Sequence, residues 1–319
     1  MSLVPDPQNI RLAMLGMVDG NGHPCSWSAI INGCYDAQAI DRCGYPVISQ
    51  YLGAQPRAAL GIPGAQVTHV WCDEPYDAAL VARSAGIAHV VKRPEDVIGQ
   101  VDAVIIPTDK GGEHLDRARP FVEAGLPLFI DKPLTDRADH LRQFVRWHEE
   151  GRPLMSTSCM RYAREFAAVR GRLAEVGELR LITATTAKSW ERYGIHALEG
   201  VYPLLEPGGW LSAANTGTPE ANIVHLRHGC GVDVVLAAVA DMYGAFGCLG
   251  VYGTQGSLTE KFKDTFFAFK AQLVAFIDFL RTGRLPFPFD QTIELMKIII
   301  AGIRSREQAG RTVLLEELT

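Results

Sequence analysis

The chain has 319 residues, 47% of them hydrophobic and 21% charged, with a formal net charge of -5. That is too long for one minimal core and has the composition of a globular protein of two domains. The acidic balance excludes the basic footprint that nucleic acid or an anionic membrane surface requires. No apolar run approaches the roughly 20 residues that span a bilayer, and the opening MSLVPDPQNIRLAML lacks the features of a signal peptide, so a cytoplasmic location without membrane partners is expected.

In chain order, the apolar run RLAMLGMV ends at the turn-rich DGNGHP and reads as a strand that opens a helix. VTHVWC is a second strand, ending at Asp73, and EPYDAALVARSAG a helix stopped by Gly86. AHVV, DAVIIP and PLFI continue the strands, with the helical GEHLDRARPFVEAG between the last two. This alternation predicts a parallel sheet covered by helices on both faces. After Pro133 a helix at 135–150 is followed by longer runs, ELRLITATT, ANIVHLRH, DVVLAAVA and FGCLGVYG, which read as an antiparallel meander. Two closing helices are predicted, one with Phe269, Leu273, Phe276 and Leu280 on its apolar face, the other with Ile293, Met296, Ile300 and Ile303 after an N-cap at Asp290. The expected class is α/β: a parallel-sheet domain over 1–150 and an α+β domain with a largely antiparallel open sheet over 151–319. An open sheet with an apolar face predicts a homodimer or homotetramer.

Gly20-Asn21-Gly22-His23-Pro24-Cys25 is an approximate G-x-G-x-x-G between strand and helix, in which backbone N–H groups can approach a pyrophosphate. It makes the first domain a Rossmann candidate, although Cys25 puts a side chain where helix and strand pack closely. Asp73, at a strand end, suits the ribose hydroxyls of NAD and repels the 2'-phosphate of NADP. It lies far beyond the usual spacing of roughly 20 residues, after an insertion running from Asn32 to Gln66. The seven cysteines are dispersed and form no CxxC pair, which predicts reduced thiols. His225, His228 and Cys230 have metal-ligand residue types, but side chains three apart on a strand diverge, and no metal is expected.

Phe129-Ile130-Asp131-Lys132-Pro133 delivers a lysine to the carboxyl end of a strand, where open α/β sheets bind ligands. With DAVIIPTDKGGEHLDRARPFVEAGLPLFIDKPL, MRYAREF, GELRLITA, GIHALEGVYPLL and IIIAGIRSREQAGR, it resembles the glucose-fructose oxidoreductase/inositol dehydrogenase/MocA (Gfo/Idh/MocA) family. The resemblance implies an NAD(P)-dependent oxidoreductase acting on CH–OH groups of a small sugar, polyol or sugar acid. It carries a catalytic role to Lys132, and places Asp131, Pro107, Thr108 and His114 near the cofactor and Arg161 near nicotinamide or substrate. In the family's D-x-x-x-H motif His196 matches, but Arg192 stands where the aspartate belongs. Glu191, Glu199 or Tyr193 are candidate stand-ins, and Arg192 suggests an anionic substrate. The alternative is a non-catalytic dinucleotide sensor on the same fold.

Overall fold

Short apolar runs, the central ones buried on both faces, build the first sheet of this computed structural model, which describes residues 1–318. Its strands are β1 (Ile10–Leu15), β2 (Ala65–Trp71), β3 (His89–Val90), β4 (Ala103–Ile106), β5 (Leu128–Ile130) and β6 (Leu154–Met155). All pair in parallel, in the order β3-β2-β1-β4-β5-β6. This is the Rossmann order, with its switch point between β1 and β4. The connecting helices include α1 (His23–Asn32), α4 (Pro75–Ala85) and α5 (His114–Glu123). Two more, α2 (Ala37–Arg42) and α3 (Pro46–Gly53), occupy the insertion. The insertion leaves and returns at one point: Gly33 and Gly61, both at positive φ, touch backbone to backbone, and a Cβ on Gly33 would lie 3.1 Å from the Gly61 Cα. Only glycine permits both the left-handed turn and that approach. Trp27, Phe129 and Phe276 are fully buried and stack in series, with ring centres 5.4 Å apart at each step.

The second sheet consists of β7 (Leu179–Ala187), β8 (Trp210–Asn215), β9 (Ala221–His228), β10 (Asp233–Val239), β11 (Cys248–Gly253), β12 (Ser257–Lys261) and β13 (Val313–Leu314). The order is β12-β11-β7-β10-β9-β8-β13. The expected meander is corrected here: β7 inserts between β11 and β10 and runs parallel to β10, so the sheet is mixed though largely antiparallel. Pairing between strands so distant in sequence leaves no local trace. The hairpin at Gly229-Cys230-Gly231 does join β9 to β10.

One face of this sheet is covered by α8 (Trp190–Val201) and α10 (Phe289–Glu307). Their crossing is keyed by Trp190, whose indole Nε1 donates to the Ile299 carbonyl at 3.0 Å. Gly194 and Gly302 leave the space its ring fills. Alternation along β9 puts Asn222, Val224, Leu226 and His228 inward and Ile223, His225 and Arg227 outward. The outer face keeps Leu211, Ile223 and Tyr252 exposed. The N-cap of α10 is Pro288, with Asp290 inside the first turn rather than at the cap, and the buried face centres on Leu295, Met296, Ile298 and Ile299.

The two units are not divided by a single cut at 150. Met1–Asp131, Gln143–Ser156 and Phe269–Phe287 form the first, while Lys132–Arg142, Thr157–Ala268 and the segment from Pro288 on form the second. Helices α6 (Ala138–Glu149) and α9 (Thr265–Thr282) each begin in the second unit and end in the first, which a linear reading of composition cannot detect.

Candidate active site

In the first unit the glycine loop is tied to the segment following β4. The buried Asn21 donates from Nδ2 to the Pro107 carbonyl at 2.8 Å and accepts the His23 backbone N–H at 2.9 Å. Thr108 is buried beside it, and His114 Nε2 lies 2.9 Å from the Thr108 carbonyl and 3.0 Å from its Oγ1. His23 Nδ1 lies 2.7 Å from Oδ2 of the buried Asp131, with its ring stacked on Trp27. Gly20, Asn21, Gly22, His23, Pro107, Thr108, His114 and Asp131 thus gather at the carboxyl edge of the parallel sheet. Gly16 was not singled out in the sequence, yet it directly follows β1 at a φ of 109°, and a Cβ there would meet the Thr108 methyl at 2.9 Å. A glycine immediately after an apolar run was the available signal.

Asp73 follows β2 and lines a cavity of about 550 Å³ together with Asp19, Cys43, Tyr45 and others. Arg117 Nη2 lies 2.9 Å from Asp73 Oδ1 and 2.9 Å from Glu113 Oε2, so its charge is shared between two carboxylates. The cavity wall carries Asp19, Asp73, Glu74, Asp77 and Glu113 against Lys110 and Arg117. The expectation of reduced thiols is corrected: Cys25, in the third glycine position, is disulfide-paired with Cys43 from the insertion. The pairing depends on how the insertion folds back, and spacing alone could not reveal it.

In the second unit, Lys132 is buried and its Nζ stands 4.7 Å from the centre of the Tyr193 ring. The His196 ring packs edge-on against Tyr193 at 4.7 Å. The two residues expected to be catalytic therefore meet at one aromatic ring. Lys188, which the sequence reading missed, places Nζ 2.8 Å from the Tyr193 hydroxyl and holds a φ of 58°, an uncommon conformation for a residue with a side chain. His196 Nδ1 lies 2.7 Å from Oγ of Ser158, a second missed residue. Nothing in the sequence marked Ser158, because it comes from a different segment, where it caps a single turn by accepting the Met160 N–H.

The candidates for replacing the family aspartate now separate. Glu191 pairs with Arg306, away from the histidine. Glu199 accepts the Ser158 backbone N–H at 3.0 Å and pairs with Arg161, so it supports the serine. Ser158 itself is the direct partner. Arg161, expected near nicotinamide or substrate, also donates to Gln291 Oε1 at 2.8 Å and lies 5.2 Å from the Tyr202 ring centre, which makes it part of an internal network. Arg192 lies in the first turn of α8, four residues and about one turn before His196 on the same helix face. His225 is outward and 2.8 Å from Asp233, whereas His228 is inward and bonds to the Glu206 carbonyl, so the two do not converge. Among the described residues no cluster of three or more His, Cys, Asp or Glu is arranged to hold a metal, and no helix is long and apolar enough to cross a membrane.

Residues 42–156 match a family described as oxidoreductases with an NAD-binding Rossmann fold. The matching model is that of the Gfo/Idh/MocA oxidoreductases. The match covers about a third of the chain and starts downstream of the glycine loop. Among curated proteins none matches the sequence. Solved structures extend the likeness over nearly the whole chain. A probable dehydrogenase from Thermotoga maritima has 14% identity over 97% of this chain and 100% of its own, with a TM-score of 0.72. A myo-inositol dehydrogenase from Corynebacterium glutamicum has 18% identity over 96% and 99%, with a TM-score of 0.71. A protein from gentamicin A biosynthesis, crystallised with NAD, has 16% identity over 96% of each chain and a TM-score of 0.72. At these identities the likeness is one of fold. The glycine loop, Cys25 and the start of the insertion lie outside the matched segment and are therefore features to be read from this chain itself.

Proposed function

We propose that the protein is an NAD-dependent dehydrogenase that oxidises a CH–OH group of a sugar, polyol or sugar acid, or reduces the corresponding carbonyl. The observation that carries this reading is the meeting of Lys132 and His196 at the Tyr193 ring, with Ser158 holding the imidazole. The residues of the first unit fit a dinucleotide: glycines at the β1 turn, Asn21 bracing the loop, and Asp73 at the end of β2. The excess of carboxylates around Asp73 disfavours a 2'-phosphate, and the salt bridges to Asp73 and Glu113 already engage Arg117, so NAD is preferred to NADP.

When bound, NAD supplies the two-electron acceptor for the carbinol carbon. The buried Lys132 ammonium hydrogen-bonds the substrate oxygen and stabilises the negative charge that develops there. His196 accepts the hydroxyl proton. Because Ser158 holds Nδ1, that exchange takes place at Nε2. The serine oxygen accepts the Met160 N–H and still has a proton to donate and a lone pair to accept with, so it can serve both tautomers of the neutral ring. Three cations, Lys132 and Lys188 over Tyr193 and Arg192 one turn before His196, favour an anionic substrate such as a sugar acid. The open outer face of the second sheet, with Leu211, Ile223 and Tyr252 exposed, suits burial in a homodimer or homotetramer.

The test is titration with NADH and NADPH, followed by energy transfer from tryptophan, and then a screen of sugars, polyols and sugar acids for NADH formation. Tight NADH and weak NADPH binding are expected, with turnover abolished in Lys132→Ala but dinucleotide affinity retained. Equal turnover of a neutral sugar and its acid rejects the anionic preference. Binding without turnover on any of these classes favours a dinucleotide sensor.

A further inference from the structure

The insertion between Gly33 and Gly61 places its own side chains on the glycine loop. A Cβ built on Gly22 would lie 2.5 Å from both Tyr45 Cδ2 and Ile48 Cδ1, so the space beside the loop is already filled by residues of this excursion. The Tyr45 hydroxyl is turned toward the N–H groups of Gly20 and Asn21, the region in which a Rossmann loop receives pyrophosphate. Burial pushes the Tyr45 hydroxyl pKa up and keeps it neutral, a partner for those N–H groups that an anion would outcompete if the ring could leave. The covalent tie that holds it down is two residues away: Cys43 is bonded to Cys25 in the first turn of α1, directly after the glycine loop, while the Asp36 backbone N–H on the Ser84 carbonyl and the Asp36–Arg83 pair anchor the far side of the excursion to α4. The outer side of the excursion faces solvent, with Pro46 and Val47 exposed. Its stem is the backbone approach of Gly33 to Gly61, where the Gly61 and Ile62 N–H groups donate to the Ile30 and Ile31 carbonyls at 2.9 and 3.0 Å.

We propose that the 33–61 excursion is a cap over the dinucleotide loop and that the Cys25–Cys43 disulfide latches it shut, with Tyr45 seated where the pyrophosphate binds. The structure describes the latched state. A dithiol reductant, itself oxidised to a disulfide, supplies the two electrons and two protons that convert the bond to two thiols and free the cap to swing about its glycine stem and admit the cofactor. Closure needs a two-electron oxidant, for which a peroxide suffices. Cys43 lines the 550 Å³ cavity and is the sulfur a small oxidant can reach. Its thiolate takes one peroxide oxygen to become a sulfenic acid, releasing water after protonation. The Cys25 thiolate then attacks that sulfur, the S–S bond forms and a second water leaves, so two thiols and one peroxide give one disulfide and two waters.

The inference rests on the glycine loop being the dinucleotide site, and the experiment separates the two. NADH is titrated into the full-length protein after treatment with a phosphine reductant and after treatment with hydrogen peroxide, with the Cys25–Cys43 bond verified by peptide mass. The reduced protein is expected to bind NADH at least tenfold more tightly than the oxidised one. Cys43→Ser should lose this difference when its own treated and untreated forms are compared, and Tyr45→Ala, which removes the plug but keeps the latch, should reduce it to less than threefold. Equal affinity of the two wild-type forms, tighter binding after oxidation, or failure of peroxide to form the bond overturns the latch while leaving the dehydrogenase reading intact. A full oxidation effect in Tyr45→Ala overturns the role of Tyr45 as the plug. Absence of NADH binding in the reduced protein overturns both readings.

Discussion

Ser158 Oγ lies 2.7 Å from Nδ1 of His196 and stands where a carboxylate is expected to orient the ring. A neutral hydroxyl fixes the direction of the imidazole but stabilises an imidazolium less than an ionised partner does. Ser158→Ala should therefore lower kcat by roughly 10- to 100-fold, within the span of general acid–base contributions, with KM little changed. Ser158→Thr should recover most of the loss. Ser158→Asp should shift the acidic limb of the kcat profile upward, because a carboxylate favours the protonated ring. A pH profile that is the same in all three variants means that Ser158 only supports the chain.

Asp73 should govern the choice of dinucleotide. Asp73→Ser removes the carboxylate that would repel a 2'-phosphate and releases Arg117 from one of its two partners. NADPH affinity should rise roughly 10-fold or more and NADH affinity fall, a swing of about 1.4 kcal/mol per decade. Fluorescence titration of the variant with both dinucleotides checks it. An unchanged ratio removes Asp73 from the ribose site.

Legibility in the sequence follows how local each determinant is. Strands β1, β4 and β5 are parallel and almost wholly buried, so their continuous apolar runs reveal them, whereas β2, with only Val67 and Val70 buried, shows through the apolar part of VTHVWC. β6 is only two residues long and carries no pattern of its own. Lys132 and His196 could be named because their motifs resemble a family, and Tyr193 was already a candidate. Ser158 and Lys188 complete that cluster from segments whose approach depends on the register of β7 and the turn after it. Glu199 was a candidate for the right place but acts one residue removed, through the Ser158 backbone. The insertion showed no chemistry as a string; the cap proposed for it could be read only once Gly33 meets Gly61 and Tyr45 comes down on Gly22.

Gly302 tests the packing that holds α8, and with it His196, in place. A Cβ at Gly302 would lie 2.5 Å from Trp190 Nε1 and 2.8 Å from Cε2, against a fully buried ring with no room to retreat. Gly302→Ala should gain about 1 kcal/mol from helix propensity but lose more to overpacking, for a net destabilisation on the order of 1–2 kcal/mol. The paired change Gly302→Ala with Trp190→Phe should recover part of it, because the smaller ring leaves space. Urea denaturation measures both, and a single variant as stable as the wild type shows that the helices can separate freely.

The Asp102–Arg11 pair gives a prediction with a definite sign in pH. Burial raises the Asp102 pKa, but the Arg11 side chain and backbone N–H, both donors to its oxygens, pull it further down, leaving it below the ordinary carboxylate value. A carboxylate depressed in the folded state contributes stability that is complete above its unfolded pKa of about 3.9 and is lost as pH falls through the lower folded value. Arg11 is about half exposed, with 48% of its side chain accessible, so solvent screening holds the contribution to about 1 kcal/mol. Asp102→Asn should therefore melt earlier than wild type at neutral pH, and the two melting curves should converge as the pH is taken down through the lowered folded value. Thermal unfolding across that range measures the gap. A gap that persists unchanged into acid would show that shape at position 102, rather than charge, is what Arg11 and the start of β1 depend on.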